Sequence, residues 1–201
     1  MNSILTLKES DVTKFIVEKV GSDILRELRI NTKMEIFYEV KGIIENGDLD
    51  ILMIDPLEPQ EAIVFECKRI KVKIEENQNQ KVNKQNDLKK LVQQVNDRIK
   101  RGFNRVYLTI IIVCDGRDKI ANNIFFNNPS SETLKLIYES DHFKKLDKKA
   151  GMLSLEPSQL TSKDYNKQAG IGINEIRKPM PQEQPKELTE KIKSFLTSIS
   201  A

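Results

Sequence analysis

Residues 47–70 decide the fold. They read Gly47-Asp48-Leu49-Asp50-Ile51-Leu52-Met53-Ile54, a Pro-containing turn (Asp55-Pro56-Leu57-Glu58-Pro59), and then, from residue 62, Ala-Ile-Val-Phe-Glu-Cys-Lys-Arg-Ile. Both flanking runs are short and apolar and bounded by turn residues, which predicts strands over 49–54 and 62–70. Period two along the second strand puts Glu66 and Lys68 on one face and Cys67 on the other. Asp50, near the start of the antiparallel neighbour, can reach the same spot. Two carboxylates and a lysine at a sheet edge make a divalent-cation site. Mg²⁺ needs hard oxygen ligands and keeps several waters, so one or two carboxylates plus substrate phosphate oxygens suffice. The lysine can steady a phosphate or an attacking hydroxide.

Upstream, MEIFYEVKGII (residues 34–44) is rich in β-branched and aromatic residues, and Asn46-Gly47-Asp48 is a hairpin turn signal. Three strands on short turns predict an antiparallel meander. Before it, residues 10–30 read as a helix with Asp11 at its start and an apolar face of Val12, Phe15, Ile16, Val20, Ile24, Leu25 and Leu28; Gly21-Ser22 is a site where it can bend or split. After the meander, residues 75–86 are polar and low in complexity, a loop. A second helix over 87–101 buries the stripe Leu88, Leu91, Val92, Val95 and Ile99, and stops at Gly102. Residues 105–114 form a continuous apolar run, a strand covered on both faces. A helix follows from 131 to about 150, then an ambiguous stretch over 153–177, a linker over about 177–186 holding Pro179, Pro181 and Pro185, and a terminal helix over 186–199. The expected organisation is α-β-β-β-α-β in residues 1–150, with a mixed central sheet flanked by helices. Residues 151–201 are expected to form a mostly helical C-terminal extension. The apolar stripe of the terminal amphipathic helix either docks on its own domain or pairs with a second copy or a partner subunit.

The pattern Asp50…Glu66-Cys67-Lys68 inside that element order resembles the PD-(D/E)xK nuclease superfamily, the restriction-endonuclease-like fold. Gly47-Asp48-Leu49-Asp50-Ile51 is similar to the superfamily's glycine–acid–aliphatic–Asp–aliphatic form, and Val64-Phe65-Glu66-Cys67-Lys68 to its apolar–apolar–Glu–x–Lys strand. The likeness covers about residues 10–114, and Asp50 follows leucine where the family often has proline. It implies that Asp50, Glu66 and the carbonyl of Cys67 hold Mg²⁺ (or Mn²⁺), and that Lys68 orients or deprotonates the attacking water. It also implies a glutamine on the helix after the third strand and a glutamate on the first helix. Gln94 borders the buried stripe more closely than Gln93. Glu18 has the family-like spacing, although in an unbroken helix it points away from the apolar side while Glu27 points into it.

The activity implied is Mg²⁺-dependent endonucleolytic hydrolysis of DNA, in restriction or other phage defence, repair or mobile-element processing. Alternatives are a nuclease-like binding subunit with little turnover, or cleavage of RNA or a nucleotide messenger by the same residues. Arg69, Lys71, Lys89 and Lys90 are the expected nucleic-acid contacts, within basic clusters along the third strand and second helix. The competing reading, a charged strand edge turned to solvent, fits poorly. Ala62 and Val64 are apolar on the face Glu66 shares, so a glutamate there is costly unless it serves a function.

Composition agrees with a soluble domain carrying a full core. The chain has 201 residues, 38% hydrophobic and 31% charged, with 33 basic against 30 acidic residues. A net charge of +3 is too mild to announce nucleic-acid binding by itself. One histidine (His142) disfavours histidine-cluster mechanisms, and two cysteines (Cys67 and Cys114) exclude a disulfide framework and a four-cysteine zinc site. No apolar run approaches a membrane span and the start lacks a signal peptide's pattern, so the expected compartment is the cytoplasm.

Overall fold

The computed structural model describes residues 8–45, 47–74, 80–82, 87–115, 129–159 and 169–199. The chain opens with helix α1 (Glu9–Glu27), whose first turn is tied by the Asp11 carboxylate accepting from the Lys8 N–H at 3.3 Å. α1 runs unbroken through Gly21. A Cβ at that position would lie 2.7 Å from Ile36 Cδ1, so the glycine lets the next strand approach the helix and does not split it.

Strands β1 (Glu35–Val40), β2 (Leu49–Ile54) and β3 (Ile63–Ile74) form the expected antiparallel meander. β1 is shorter than the apolar run that announced it. Ile43 and Ile44 are buried in the β1–β2 connection, where Gly42 and Gly47 take positive φ values of 83° and 90° that only glycine adopts without strain. Asn46 of the expected turn lies outside the described residues. β3 is longer than expected, and its last three residues pair with β4 (Gln80–Val82). Part of the segment read as a loop is therefore strand; residues 75–79 and 83–86 lie outside the described residues.

Helix α2 (Leu88–Lys100) follows, ending at Gly102 in a left-handed conformation, and leads into β5 (Arg105–Asp115), which runs parallel to β3 along its length. Burial of β5 on both faces accounts for its unbroken apolar sequence: even-numbered residues from Val106 to Cys114 join α2's side of the core, and Tyr107, Ile111 and Val113 join α1's.

The C-terminal third departs from expectation. The helix begun at Ser131, α3 (Ser131–Tyr138), stops early. A 3-10 turn (Asp141–Lys145) follows, in which Lys144 pairs with Asp141 at 2.7 Å instead of closing a long helix. Residues 151–159 and 169–177 are strands and not helix: β6 (Gly151–Gln159) pairs parallel with β5, and β7 (Ala169–Arg177) pairs antiparallel with β6, while residues 160–168 lie outside the described residues. Among the described residues seven strands form one mixed sheet, ordered β1-β2-β3-β5-β6-β7 with β4 on the end of β3. The sheet thus continues past residue 150.

Residues 178–185 are a strap fixed by specific hydrogen bonds. Gln182 donates to the carbonyls of Ile99 and Phe103, and Gln184 donates to that of Pro59. The strap delivers α4 (Lys186–Ile199) onto its own domain, where Leu188 and Ile192 are buried and Phe195 meets Phe37 edge to face at 5.2 Å.

The sheet separates two cores. On one side α1 contributes Val12, Ile16, Val20, Ile24 and Leu25 against Ile51, Met53, Ile63 and Phe65. On the other, the α2 stripe (Leu88, Leu91, Val92, Val95, Ile99) packs on Leu52, Ile54, Val64 and Ile70. Each fully buried side chain of this size contributes about 1.5–3 kcal/mol. This layering decides the site, because the even-numbered residues of β2 and β3 look toward α2.

Candidate active site

The β2–β3 ladder pairs Leu52 with Val64 and Ile51 with Phe65. One step further along that register Asp50 stands opposite Glu66. There the Asp50 side chain replaces the backbone ladder: its Oδ2 accepts the N–H of Cys67 at 2.6 Å. In an extended strand a residue's N–H and C=O point to the same side, so the Cys67 carbonyl also faces β2.

Glu66 is completely buried, at 0% exposure. Its Oε1 accepts from Arg98 Nε at 2.6 Å, while Oε2 has no hydrogen-bond partner. Burial, and next the negative charge of Asp50, push the Glu66 carboxyl up to about 7 against the pull of Arg98. An unsatisfied buried carboxylate oxygen costs free energy unless something pairs with it. Glu66 with its free Oε2, Asp50 opposite it, and the Cys67 carbonyl on the β2 side form a donor set of hard oxygens that a divalent cation would satisfy. Among the described residues no group of three or more His, Cys, Asp or Glu side chains gathers for metal binding, so the set is two carboxylates and a main-chain carbonyl.

Lys68 shares the Glu66 face, and its Nζ lies 3.7 Å from Asp87 Oδ2, immediately before α2. The structure thus brings Asp50, Glu66, Cys67 and Lys68 together at the end of the β2–β3 pairing. The two helix residues are placed differently. Gln94, like Gln93, is exposed on α2. Glu18 is exposed on α1, on the other side of the sheet, and pairs with Lys14 at 3.8 Å. α1 being unbroken, Glu18 keeps the outward direction of its helical position, and Glu27 is exposed as well.

The expected nucleic-acid contacts divide between the two faces. Lys89 and Lys90 are exposed in the first turn of α2, close after Asp87. Arg69 is buried and Lys71 half-buried, and both alternate with Lys68 onto α1's side of the sheet.

The residue that sequence reading missed is Arg98. It belongs to a run of basic residues that reads as a surface rim, yet it is buried. Besides Glu66 it donates from Nη2 to the Asp48 carbonyl at 3.1 Å and from Nη1 to Asp97 Oδ2 at 2.8 Å. Asp97 also accepts from Arg101 Nε at 2.7 Å. Partial burial works to raise the Asp97 carboxyl, but Arg101 and Arg98 together outweigh it and hold the group below its ordinary value. The missed signal is positional. Arg98 lies seven residues after Leu91 and three after Val95, inside the apolar stripe, where a charge requires a buried partner.

Two weaker sequence signals resolve simply. Gly170-Ile171-Gly172 belongs to β7 and forms no dinucleotide loop. Cys114 is buried on β5, and burial pushes its thiol up to about 12, which makes it unreactive.

The fold and site together define an α/β protein whose described residues form a mixed seven-stranded sheet with an acidic–basic cluster at one strand junction. No protein-family model matches the chain. No curated protein matches it. A solved structure described as the SPO1766 protein of unknown function from Silicibacter pomeroyi is similar at 14% identity and a TM-score of 0.43, over 92% of this chain and 84% of that one. Among the described residues no helix is long and apolar enough to cross a membrane.

Proposed function

We propose that this protein is a Mg²⁺-dependent nuclease of the PD-(D/E)xK type that hydrolyses phosphodiester bonds of DNA. The observation that carries the reading is Asp50 standing opposite buried Glu66, whose Oε2 has no hydrogen-bond partner, with Lys68 on the same strand face. The order helix, three antiparallel strands, helix, parallel strand, with Asp50 and Glu66 at the β2–β3 junction, supports a restriction-endonuclease-like core.

Asp50, Glu66 through Oε2, and the Cys67 carbonyl would hold the cation. A bound Mg²⁺ would supply Lewis-acid chemistry, acidifying water and neutralising charge that develops on the phosphoryl group. The remaining work falls to side chains. Lys68, tethered by Asp87, carries the positive charge that orients the attacking water and stabilises the transition state at the phosphate oxygens. Lys89 and Lys90, exposed beside it, hold the polynucleotide backbone without entering the chemistry. The low-dielectric surroundings of Glu66 would strengthen its attraction for a bound cation.

A second reading, a nuclease-like binding subunit, is favoured by the Arg98–Glu66 ion pair, which already supplies one cation to the acid. The test is cleavage of duplex DNA, single-stranded DNA and RNA in Mg²⁺, Mn²⁺, Ca²⁺ and EDTA. The nuclease reading expects cleavage of DNA in Mg²⁺ or Mn²⁺, little in Ca²⁺ and none in EDTA. Binding of DNA with no cleavage in any condition supports the binding subunit, cleavage of RNA alone changes the substrate, and undiminished cleavage in EDTA overturns the metal site.

A further inference from the structure

We infer that Arg98 is a positioning residue for the metal site, one guanidinium that fixes both acids at once. The inference rests on the nuclease reading above and deepens it. Two of its contacts reach the acids' own strands, and they are unlike in kind. Nε binds Glu66 Oε1 at 2.6 Å, which leaves only Oε2 to ligate and makes Glu66 a one-oxygen ligand with a fixed direction. Nη2 binds the carbonyl of Asp48 at 3.1 Å, two residues before Asp50, and so anchors the start of β2 to the same group. The β2–β3 backbone ladder stops at Ile51 and Phe65, so beyond that point side-chain contacts, the Asp50–Cys67 hydrogen bond and the Arg98 fork, set the spacing of the strands. Asp97 holds the third edge of the guanidinium at 2.8 Å and is itself held by Arg101. The planar fork is therefore pinned on all sides, and lysine, a point charge on a flexible stem, cannot reproduce it.

Outer-shell partners of this kind typically change metal affinity or turnover by roughly 10- to 100-fold when replaced. The experiment is a Mn²⁺ titration followed by electron paramagnetic resonance, with thermal melting on the same samples, for wild type, Arg98→Lys, Asp97→Asn and Asp50→Ala. Arg98→Lys is expected to bind Mn²⁺ roughly 10-fold or more weakly while still folded, and to lower kcat in DNA cleavage with KM little changed. Asp97→Asn, at a partly exposed position, is expected to fold normally and to shift Mn²⁺ affinity in the same direction by less; it carries the test if Arg98→Lys does not fold. A lowered melting temperature with wild-type Mn²⁺ affinity in Arg98→Lys, or no affinity change in Asp97→Asn when Arg98→Lys is unfolded, would make Arg98 merely structural and overturn the inference. The nuclease reading fails separately: wild type that takes up no Mn²⁺ at millimolar concentration, or Asp50→Ala that binds it normally, overturns the metal site itself.

Discussion

Arg98 on the second helix and Glu66 on the third strand form a buried ion pair with an Nε–Oε1 distance of 2.6 Å, and the glutamate's other oxygen is left without a hydrogen bond. Half of the carboxylate is thus committed to the protein and half is available. Removing one partner of a buried pair leaves an uncompensated charge and typically costs about 3–5 kcal/mol, whereas replacing both by apolar groups is often near neutral. Arg98→Met should therefore destabilise the protein by about that amount, and Arg98→Met combined with Glu66→Leu should recover most of it. Urea unfolding of the two singles and the double measures the cycle. A double variant no more stable than Arg98→Met would mean that the two residues are not energetically paired.

Stability should also respond to pH through Glu66. Its carboxyl is raised from 4.5 to about 7 in the folded protein by burial and by Asp50. Between those values the native state keeps a proton that the unfolded chain has lost, so this group's contribution is fully present below about pH 4.5 and is lost as pH rises through about 7. Melting temperatures of wild type relative to Glu66→Gln should accordingly fall between pH 5 and pH 8. A difference that is flat, or that grows with pH, would show that Arg98 keeps Glu66 ionised throughout.

The docking of the C-terminal strap can be tested at Gly102. This residue has φ +88°, and a Cβ there would collide with the Pro185 ring ahead of α4. Gly102→Ala combines a strained backbone with that clash and should cost roughly 1–3 kcal/mol, visible as a lowered melting temperature. A neutral substitution would mean that the strap does not press on the end of α2.

Salt dependence separates the two faces of the sheet. Charge reversal at Lys89 and Lys90 should weaken DNA binding and reduce the slope of log affinity against log salt by about one for each phosphate that is no longer neutralised. Lys71→Glu, on the α1 side, should change that slope less. Equal slopes for both variants would mean that the polynucleotide does not run along α2.

The site was legible in the sequence where period and element order alone decide position. Asp50, Glu66 and Lys68 follow from alternation along two antiparallel strands, which holds whatever packs around them. Arg98 needed one more step: two helical turns bring it within about 20° of Leu91, so it had to enter the core, and Glu66 is the acid that can receive it there. Gln94 and Glu18 came from likeness to other proteins, and their helical positions turn both to solvent. The strands β6 and β7 were obscured by residues that oppose strand formation. Pro157 lies in β6 just beyond its last pairing with β5, where the missing N–H removes no bond on that side, and Gly170 and Gly172 dilute the pattern of edge strand β7.

The proposed cleavage of phosphodiesters is assigned to the junction of β2 and β3. Single-turnover cleavage of end-labelled duplex DNA in Mg²⁺, comparing wild type with Asp50→Ala and Lys68→Ala at saturating protein, tests it most directly. Wild type is expected to cleave only with metal, each variant to lose roughly 10²-fold or more, and both variants to retain DNA binding. Cleavage by Asp50→Ala and Lys68→Ala at the wild-type rate would contradict that assignment.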